Sequence, residues 1–343
     1  MDNFAYARAP SAAATVAAAR DGAAIIAGGT ELLNWLRLGI VAHDRIVDID
    51  RVDELRGIVV DGARLRIGAL ATLNEIGESA AVQAAAPVLA QACLKAASAQ
   101  LRNRATLGGN VLQKTRCPYF RADAPGANAM PWPCNKRIHG SGCAAKGSGY
   151  PRLALFGWND ACVATQPSDP AVALAALDAI VEVRSSTGPR SIPMTEFHLT
   201  QEEAASASGG RENGAVAENR LTQGDLIVGF EIPIDAASRR SAYVKVRERE
   251  SYEYALVTAA AALHLDGRTI RAVRVALGSI AQKPWRLRDA EAALQGQTVD
   301  NATIERALAK ALAVARPLPG NEFKVALARN AARRAIEIAG GIA

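Results

Sequence analysis

The chain has 343 residues, half of them apolar and 22% charged, which excludes a disordered or collagen-like polypeptide and allows two or three domains with sizeable cores. Its formal net charge of +6 raises nucleic acid as a partner, but the cations are scattered and accompany no nucleic-acid motif, so solvated surface or an acidic partner is the expectation. No apolar run is long enough to span a bilayer, and the start Met1-Asp2-Asn3-Phe4 lacks the basic and apolar stretches of a signal peptide; neither a membrane nor a nucleic acid is expected as a partner.

Residues 24–38 predict a βα unit: a short apolar strand, a glycine pair, then a helix with Leu32, Leu33 and Leu36 on one face. A strand is expected at Ile46 to Ile49, and a hairpin at Ile58 to Val60 and Leu65 to Ile67 around Asp61-Gly62. Thr72 and Glu75 form a capping box, and Pro87 to Ala97 is helical in pattern, with Cys93 read as a small core residue. Periodicity fails from 114 to 164, a loop too long for a compact domain unless something besides a hydrophobic core orders it. A helix follows at Ala171 to Leu177, with strands near Ile180 to Val183 and Leu226 to Ile232. Ala242 to Val246, Ala255 to Leu263 and Ile270 to Leu277 predict an antiparallel meander turning at Asp266-Gly267. Two amphipathic helices close the chain, one burying Ile304, Leu308, Ala311 and Ala315, the other Phe323, Leu327, Ala331 and Ile338. The fold class is α+β, with a separate C-terminal domain from about residue 235.

Two glycine pairs stand out. Ala27-Gly28-Gly29-Thr30-Glu31-Leu32 sits between a strand end and a helix start, where free backbone N–H groups favour a phosphate, although a tight βα turn needs the same residues. Arg102-Asn103-Arg104-Ala105-Thr106-Leu107-Gly108-Gly109-Asn110 again sets Gly-Gly beside a hydroxyl and an amide that can bond phosphate or ribityl oxygens. Neither is the G-x-G-x-x-G fingerprint, and no P-loop occurs.

Five cysteines cannot all pair with one another, and four of them, Cys117, Cys134, Cys143 and Cys162, fall in the irregular segment at spacing C-x16-C-x8-C-x18-C. Four thiolates can enclose a metal or cluster, whose binding energy would hold a coreless loop folded. Structural zinc sites recruit cysteines in close pairs, which are absent here, so a [4Fe–4S] cluster is the stronger reading and zinc the competitor. His139 could replace one cysteine or be a solvated loop residue, and disulfides stay open for an exported chain.

The Ala-Gly-Gly-Thr-Glu-Leu loop, the Asn-Arg-Ala-Thr-Leu-Gly-Gly-Asn loop and Pro167-Ser168-Asp169, in this order, resemble the FAD subunits of the xanthine dehydrogenase and carbon monoxide dehydrogenase family over nearly the whole chain. The cysteine loop sits where some members carry a [4Fe–4S] insertion, among them 4-hydroxybenzoyl-CoA reductase and the bacterial aldehyde oxidoreductases. Cys117-Pro118-Tyr119-Phe120-Arg121, Cys134-Asn135-Lys136-Arg137, Gly140-Ser141-Gly142-Cys143 and Cys162-Val163-Ala164-Thr165 look most like the aldehyde oxidoreductase branch. Two departures are a longer stretch from Ala122 to Pro133, and Gln166 where a histidine or serine is expected.

The resemblance implies a two-part FAD-binding region of the PCMH/vanillyl-alcohol-oxidase type, residues 1–57 and 58–234 with the insertion at about 114–164. A C-terminal α+β domain, 235–343, would follow, with a three-stranded antiparallel sheet plus helices. It implies that Ile26, Ala27, Gly28, Gly29, Thr30, Glu31 and Leu32 hold the FAD diphosphate from one side and Thr106, Gly108, Gly109 and Asn110 from the other. Asp169 would accept from the ribityl chain or a neighbouring backbone, Ile227 would pack near the flavin and Lys245 would reach its edge. Their plain alternatives are a helix cap, a core residue and a surface charge. The implied cofactors are FAD and a [4Fe–4S] cluster. The implied partners are a large molybdenum-cofactor subunit, a small [2Fe–2S] subunit and an external electron acceptor, in the cytoplasm or carried to the periplasm by a twin-arginine-bearing partner. Two other readings compete: a stand-alone flavin oxidase or reductase, and a zinc or iron–sulfur nucleic-acid-binding protein, the latter suggested by Arg102, Arg104, Lys114, Arg116, Lys136 and Arg137 around the cysteines.

Overall fold

A computed structural model describes residues 2–123, 130–207 and 215–343. The chain opens with three parallel strands, β1 (Ala5–Arg8), β2 (Ala24–Ile26) and β3 (Arg45–Asp48), in the order β1-β3-β2. Helices Ala12–Arg20 and Leu32–Arg37 make the crossovers. The first helix buries Ala12, Thr15, Val16 and Ala19, a stripe at helical spacing, and starts where the Ser11 hydroxyl accepts from the Ala14 N–H. In the second only Leu36 is buried; Leu33 is exposed, so the three-leucine face expected there is not a core face of this chain.

A five-stranded antiparallel sheet follows, built from β4 (Ile58–Asp61), β5 (Arg64–Gly68), β6 (Ile180–Ser185), β7 (Gly188–Pro193) and β8 (Leu226–Pro233), in the order β4-β5-β8-β6-β7. Its hairpin turns one residue later than expected. Asp61 pairs with Arg64, so Gly62 and Ala63 form the turn, and only Gly62 has positive φ, at +57°. Thr72 and Glu75 do form a reciprocal capping box on helix Leu73–Glu78. Helix Pro87–Lys95 buries Val88, Leu89, Ala90, Ala92 and Cys93.

The C-terminal sheet has four antiparallel strands rather than three: β9 (Ser241–Val246), β10 (Val257–Asp266), β11 (Thr269–Gly278) and β12 (Trp285–Arg286), in the order β12-β11-β10-β9. The added strand is two residues long, too short to show a period in sequence. Helix Phe323–Gly340 packs across β10 and β9, and helix Asn301–Leu312 packs against it and against helix Arg288–Leu294. The expected face of Phe323–Gly340 is wrong in phase. Phe323 and Ile338 are exposed, while Lys324, Ala328, Ala331, Ala332, Ala335 and Ile336 are buried, because alanines let the helix lie close to the strands and the bulky residues fall outside. The fully buried helix Asp169–Ala176 packs against β10 and β11 on one side and against helix Pro87–Lys95 on the other, joining the second and third sheets.

The cysteine segment does have a core of its own, contrary to expectation: Cys117, Phe120, Ala145, Leu153, Cys162 and Val163 pack together with Leu318 from the C-terminal region. It is also tied to that region by buried polar groups. Lys324 Nζ donates to the carbonyls of Leu153 (2.8 Å) and Ser279 (2.7 Å), Asn321 Nδ2 to that of Leu153 (3.1 Å), and Gln282 Nε2 to that of Cys162 (3.1 Å). Burial pulls Lys324 down to about 7.

Candidate cofactor site

The three sheets meet at a cavity of about 550 Å3, within the range of small-molecule sites. The first sheet contributes the end of β2 and the loop after it, the second contributes Ile227 on β8, and the third contributes Lys245 on β9 and the β9–β10 connection with Arg249, Tyr252 and Tyr254. Ile26, Ala27, Gly28, Gly29, Thr30, Glu31, Leu32, Thr106, Gly108, Gly109, Asn110, Asp169, Ile227 and Lys245 all line this one cavity.

The glycines are explained first by the two loops touching. A Cβ on Gly28 would lie 1.7 Å from the Arg104 carbonyl oxygen, and one on Gly108 would lie 3.1 Å from the Ala69 Cβ. Segment 105–108 runs beside 69–73, with the Leu73 N–H donating to the Ala105 carbonyl, Leu107 to Ala71 and Gly108 to Ala69. Gly29 holds φ +75°, which a side chain would strain. The Thr106 hydroxyl accepts from the Gly109 N–H and caps the short helix Leu107–Val111. Asn110 uses its carbonyl oxygen to accept from the Ser168 hydroxyl at 2.7 Å.

The three plain alternatives fare differently. Ser168, not Asp169, caps helix Asp169–Ala176. Asp169 instead accepts from Tyr243 Oη (2.7 Å) and Lys245 Nζ (2.8 Å), and Lys245 is only 2% exposed, so it is no surface charge. Ile227 is both a core strand residue and a wall of the cavity.

Several lining residues carried no sequence signal. Ala97 and Tyr252 adopt φ +45° and +53°, a conformation sequence reasoning assigns to glycine, and both face the cavity. Arg116 lines it too, over the Tyr254 ring at 4.3 Å.

The four loop cysteines share the small core described above, and all are free. Backbone N–H groups of Phe120 and Tyr119 face the Cys117 sulfur, those of Lys136 and Arg137 face Cys134, and that of Ala164 reaches Cys162 Sγ at 3.5 Å. Burial, against those donors, pushes Cys117 up to about 12 and Cys162 to about 11. Among the described residues no three His, Cys, Asp or Glu side chains form a group that could hold a metal ion. Of the longer stretch Ala122 to Pro133, residues 124–129 lie outside the described residues. Cys93 is fully buried in the main core, where burial pushes its thiol upward. Cys93→Ala should therefore cost about 1 kcal/mol of stability and leave the iron content of the chain unchanged; a drop in iron would place Cys93 among the ligands.

Most of the basic residues around the cysteines turn inward, while Arg104 makes its ion pair at the surface. Lys114 and Lys136 reach Glu218 at 2.6 and 2.8 Å, Arg116 and Arg121 reach Glu31, Arg104 reaches Asp50, and Arg137 donates to the carbonyls of Phe120 and Gly39. Internal pairing thus accounts for the cluster that suggested nucleic acid. Burial would raise Glu218, but Lys136 and Lys114 outweigh it and bring it down to about 2. Gln166, the departure from the family pattern, has a structural use. Its oxygen accepts from the Ser168 N–H (2.9 Å), and its nitrogen lies 3.1 Å from Nε2 of buried His198, which burial lowers to about 4.

These shifts fix a pH dependence. An unfolded histidine binds a proton below about 6.5 while His198 stays neutral until about 4, so the unfolded state holds more protons and stability falls as pH drops through that window. Glu218 adds a second loss between about 4.5 and 2. Tm against pH should decline from 6.5 downward, and His198→Gln should remove the first phase, on the order of 3 kcal/mol at about 1.4 kcal/mol per unit. An unchanged profile in that variant would show that another group governs it.

Known proteins match along the chain. The family model "FAD binding domain in molybdopterin dehydrogenase" matches residues 2–235, and "CO dehydrogenase flavoprotein C-terminal domain" matches residues 242–339. The chain belongs to this family of FAD-binding medium subunits of molybdenum hydroxylases, whose members serve oxidoreductases. It is 39% identical over 333 residues to the aldehyde oxidoreductase FAD-binding subunit PaoB of Escherichia coli, covering 96% of each chain. It is 25% identical to the carbon monoxide dehydrogenase medium chain of Hydrogenophaga pseudoflava, over 92% of this chain and 89% of that one. A carbon monoxide dehydrogenase structure from the same organism superposes with a TM-score of 0.73 at 24% identity, covering 99% and 98% of the two chains, which shows the fold. Among the described residues no helix is long and apolar enough to cross a membrane.

Proposed function

We propose that the chain is the electron-relaying subunit of a molybdenum-containing aldehyde oxidoreductase, holding FAD in the cavity between the three sheets and a [4Fe–4S] cluster on Cys117, Cys134, Cys143 and Cys162. The observation that carries the FAD site is the convergence of both glycine loops with Asp169, Ile227 and Lys245 on one cavity. Similarity to a protein named as an aldehyde oxidoreductase subunit supports the substrate class. A division into 1–57, 58–234 and 235–343 is part of this reading, supported by one sheet falling within each range.

The residues fit a dinucleotide. The glycines of both loops line the cavity, where backbone N–H groups could approach a diphosphate. Asp169 is held in place by Tyr243 and Lys245, and its carboxylate would accept from the ribityl chain. Ile227 and Leu226 provide an apolar wall that excludes water. Bound FAD would supply exchange between one- and two-electron carriers, which needs no catalytic acid, base or nucleophile from the protein.

For the cluster, the donor set is four thiols with backbone N–H groups aimed at three of the sulfurs, contacts of the kind that tune iron–sulfur centres. The spacing of the four cysteines, with no close pair of the C-x2-C kind that structural zinc sites recruit, favours the cluster over zinc. Electrons would arrive from a large molybdenum-cofactor subunit through a small [2Fe–2S] subunit and leave to an external acceptor. The complex would be cytoplasmic, or periplasmic if a partner carries a twin-arginine signal.

An anaerobic absorption spectrum with flavin, iron and zinc assays tests this reading. One FAD and about four irons per chain are expected. Zinc without flavin would overturn it.

A further inference from the structure

One carboxylate joins the first glycine loop to the cysteine segment. Glu31 accepts from Trp35 Nε1 at 2.7 Å, from Arg121 at 3.0 Å and from Arg116. The two arginines bracket Cys117, and Arg121 also donates to the carbonyls of Thr115 (2.9 Å) and Lys114 (3.0 Å). The side chains of Glu31, Arg116 and Arg121 are 17%, 19% and 13% exposed, so the group is largely removed from water, where charge pairs are strong and costly to break.

The cluster side of this contact is equally fixed. The Arg121 N–H donates to the Cys117 carbonyl at 3.0 Å, and the Cys117 sulfur receives the N–H groups of Tyr119 and Phe120. One turn, 117–121, therefore carries a thiol at one end and a Glu31 partner at the other. Glu31 lines the FAD cavity and Arg121 does not. A shift of the turn on loss of a ligand at Cys117 would reach the cavity through Arg121.

We propose that Arg121 is a positioning residue that couples the two cofactor sites, holding Glu31 and the first glycine loop in the FAD-binding geometry only while the cysteine site is filled. This rests on the cluster reading above. Coupling between two sites is reciprocal: a filled cysteine site should tighten FAD by the same factor by which FAD protects the cysteine site.

The test uses the full chain, with FAD dissociation followed by flavin fluorescence and iron loss to a chelator followed by absorbance, both without oxygen. In the wild type, removing iron should weaken FAD at least tenfold, and removing FAD should speed iron loss to the chelator. Arg121→Gln, isolated with its iron, should bind FAD about tenfold more weakly, and stripping its iron should change that affinity less than twofold. Arg121→Lys should recover part of the coupling. If iron is present but its removal leaves FAD affinity unchanged, or if Arg121→Gln keeps the full coupling, the proposal fails while the cluster reading stands. A chain purified without iron overturns both.

Discussion

Gly28→Ala should yield a folded chain with less than about a tenth of the wild-type flavin content. The added methyl would sit 1.7 Å from the Arg104 carbonyl oxygen and 2.6 Å from its carbon, both backbone atoms, so one loop must move. Overpacking of this kind costs roughly 1–3 kcal/mol, and here the strain falls on the two segments that line the cavity. Gly147→Ala is the matched control: its Cβ would meet nothing within 4 Å and it does not line the cavity, so flavin content should stay near the wild-type level. The flavin-to-protein absorbance ratio and Tm of both variants check this. Equal flavin in the two would mean that loop contact does not shape the site.

Asp169→Ala should destabilise the chain by roughly 3–5 kcal/mol, because it strands the Lys245 ammonium, 2% exposed, with the Lys95 carbonyl at 3.0 Å as its remaining partner. Replacing both charges, Asp169→Leu with Lys245→Met, should recover most of that loss and still bind FAD poorly, since the carboxylate proposed for the ribityl chain is gone. Denaturant unfolding gives the first quantity and flavin fluorescence titration the second. A single-variant cost below about 1 kcal/mol would contradict a sealed ion pair.

Much of the site was legible because its glycines and cysteines interrupt regular pattern. The two Gly-Gly loops, the Thr72–Glu75 capping box and the isolated core role of Cys93 follow from local chemistry alone. The loops could be assigned to FAD, however, only through resemblance; their residues serve equally as tight packing, as Gly28 does against the Arg104 carbonyl. What sequence missed is largely alanine. Helix Ala12–Arg20 and the buried face of Phe323–Gly340 are built from small residues that give weak periodic contrast, so the larger Phe323 and Ile338 misled the phase. The ties from Lys324 and Asn321 to the cysteine segment span more than 160 residues of sequence, and no local pattern encodes them. The positive φ of Ala97 and Tyr252 is likewise imposed by tertiary packing on residues that do not advertise it.

Rapid mixing of an aldehyde with the isolated chain and with its complex, both without oxygen, tests the relay most directly. The flavin absorbance should stay constant in the isolated chain and bleach in the complex. Bleaching by aldehyde in the isolated chain would contradict the account, making this subunit an oxidase or reductase with its own substrate site.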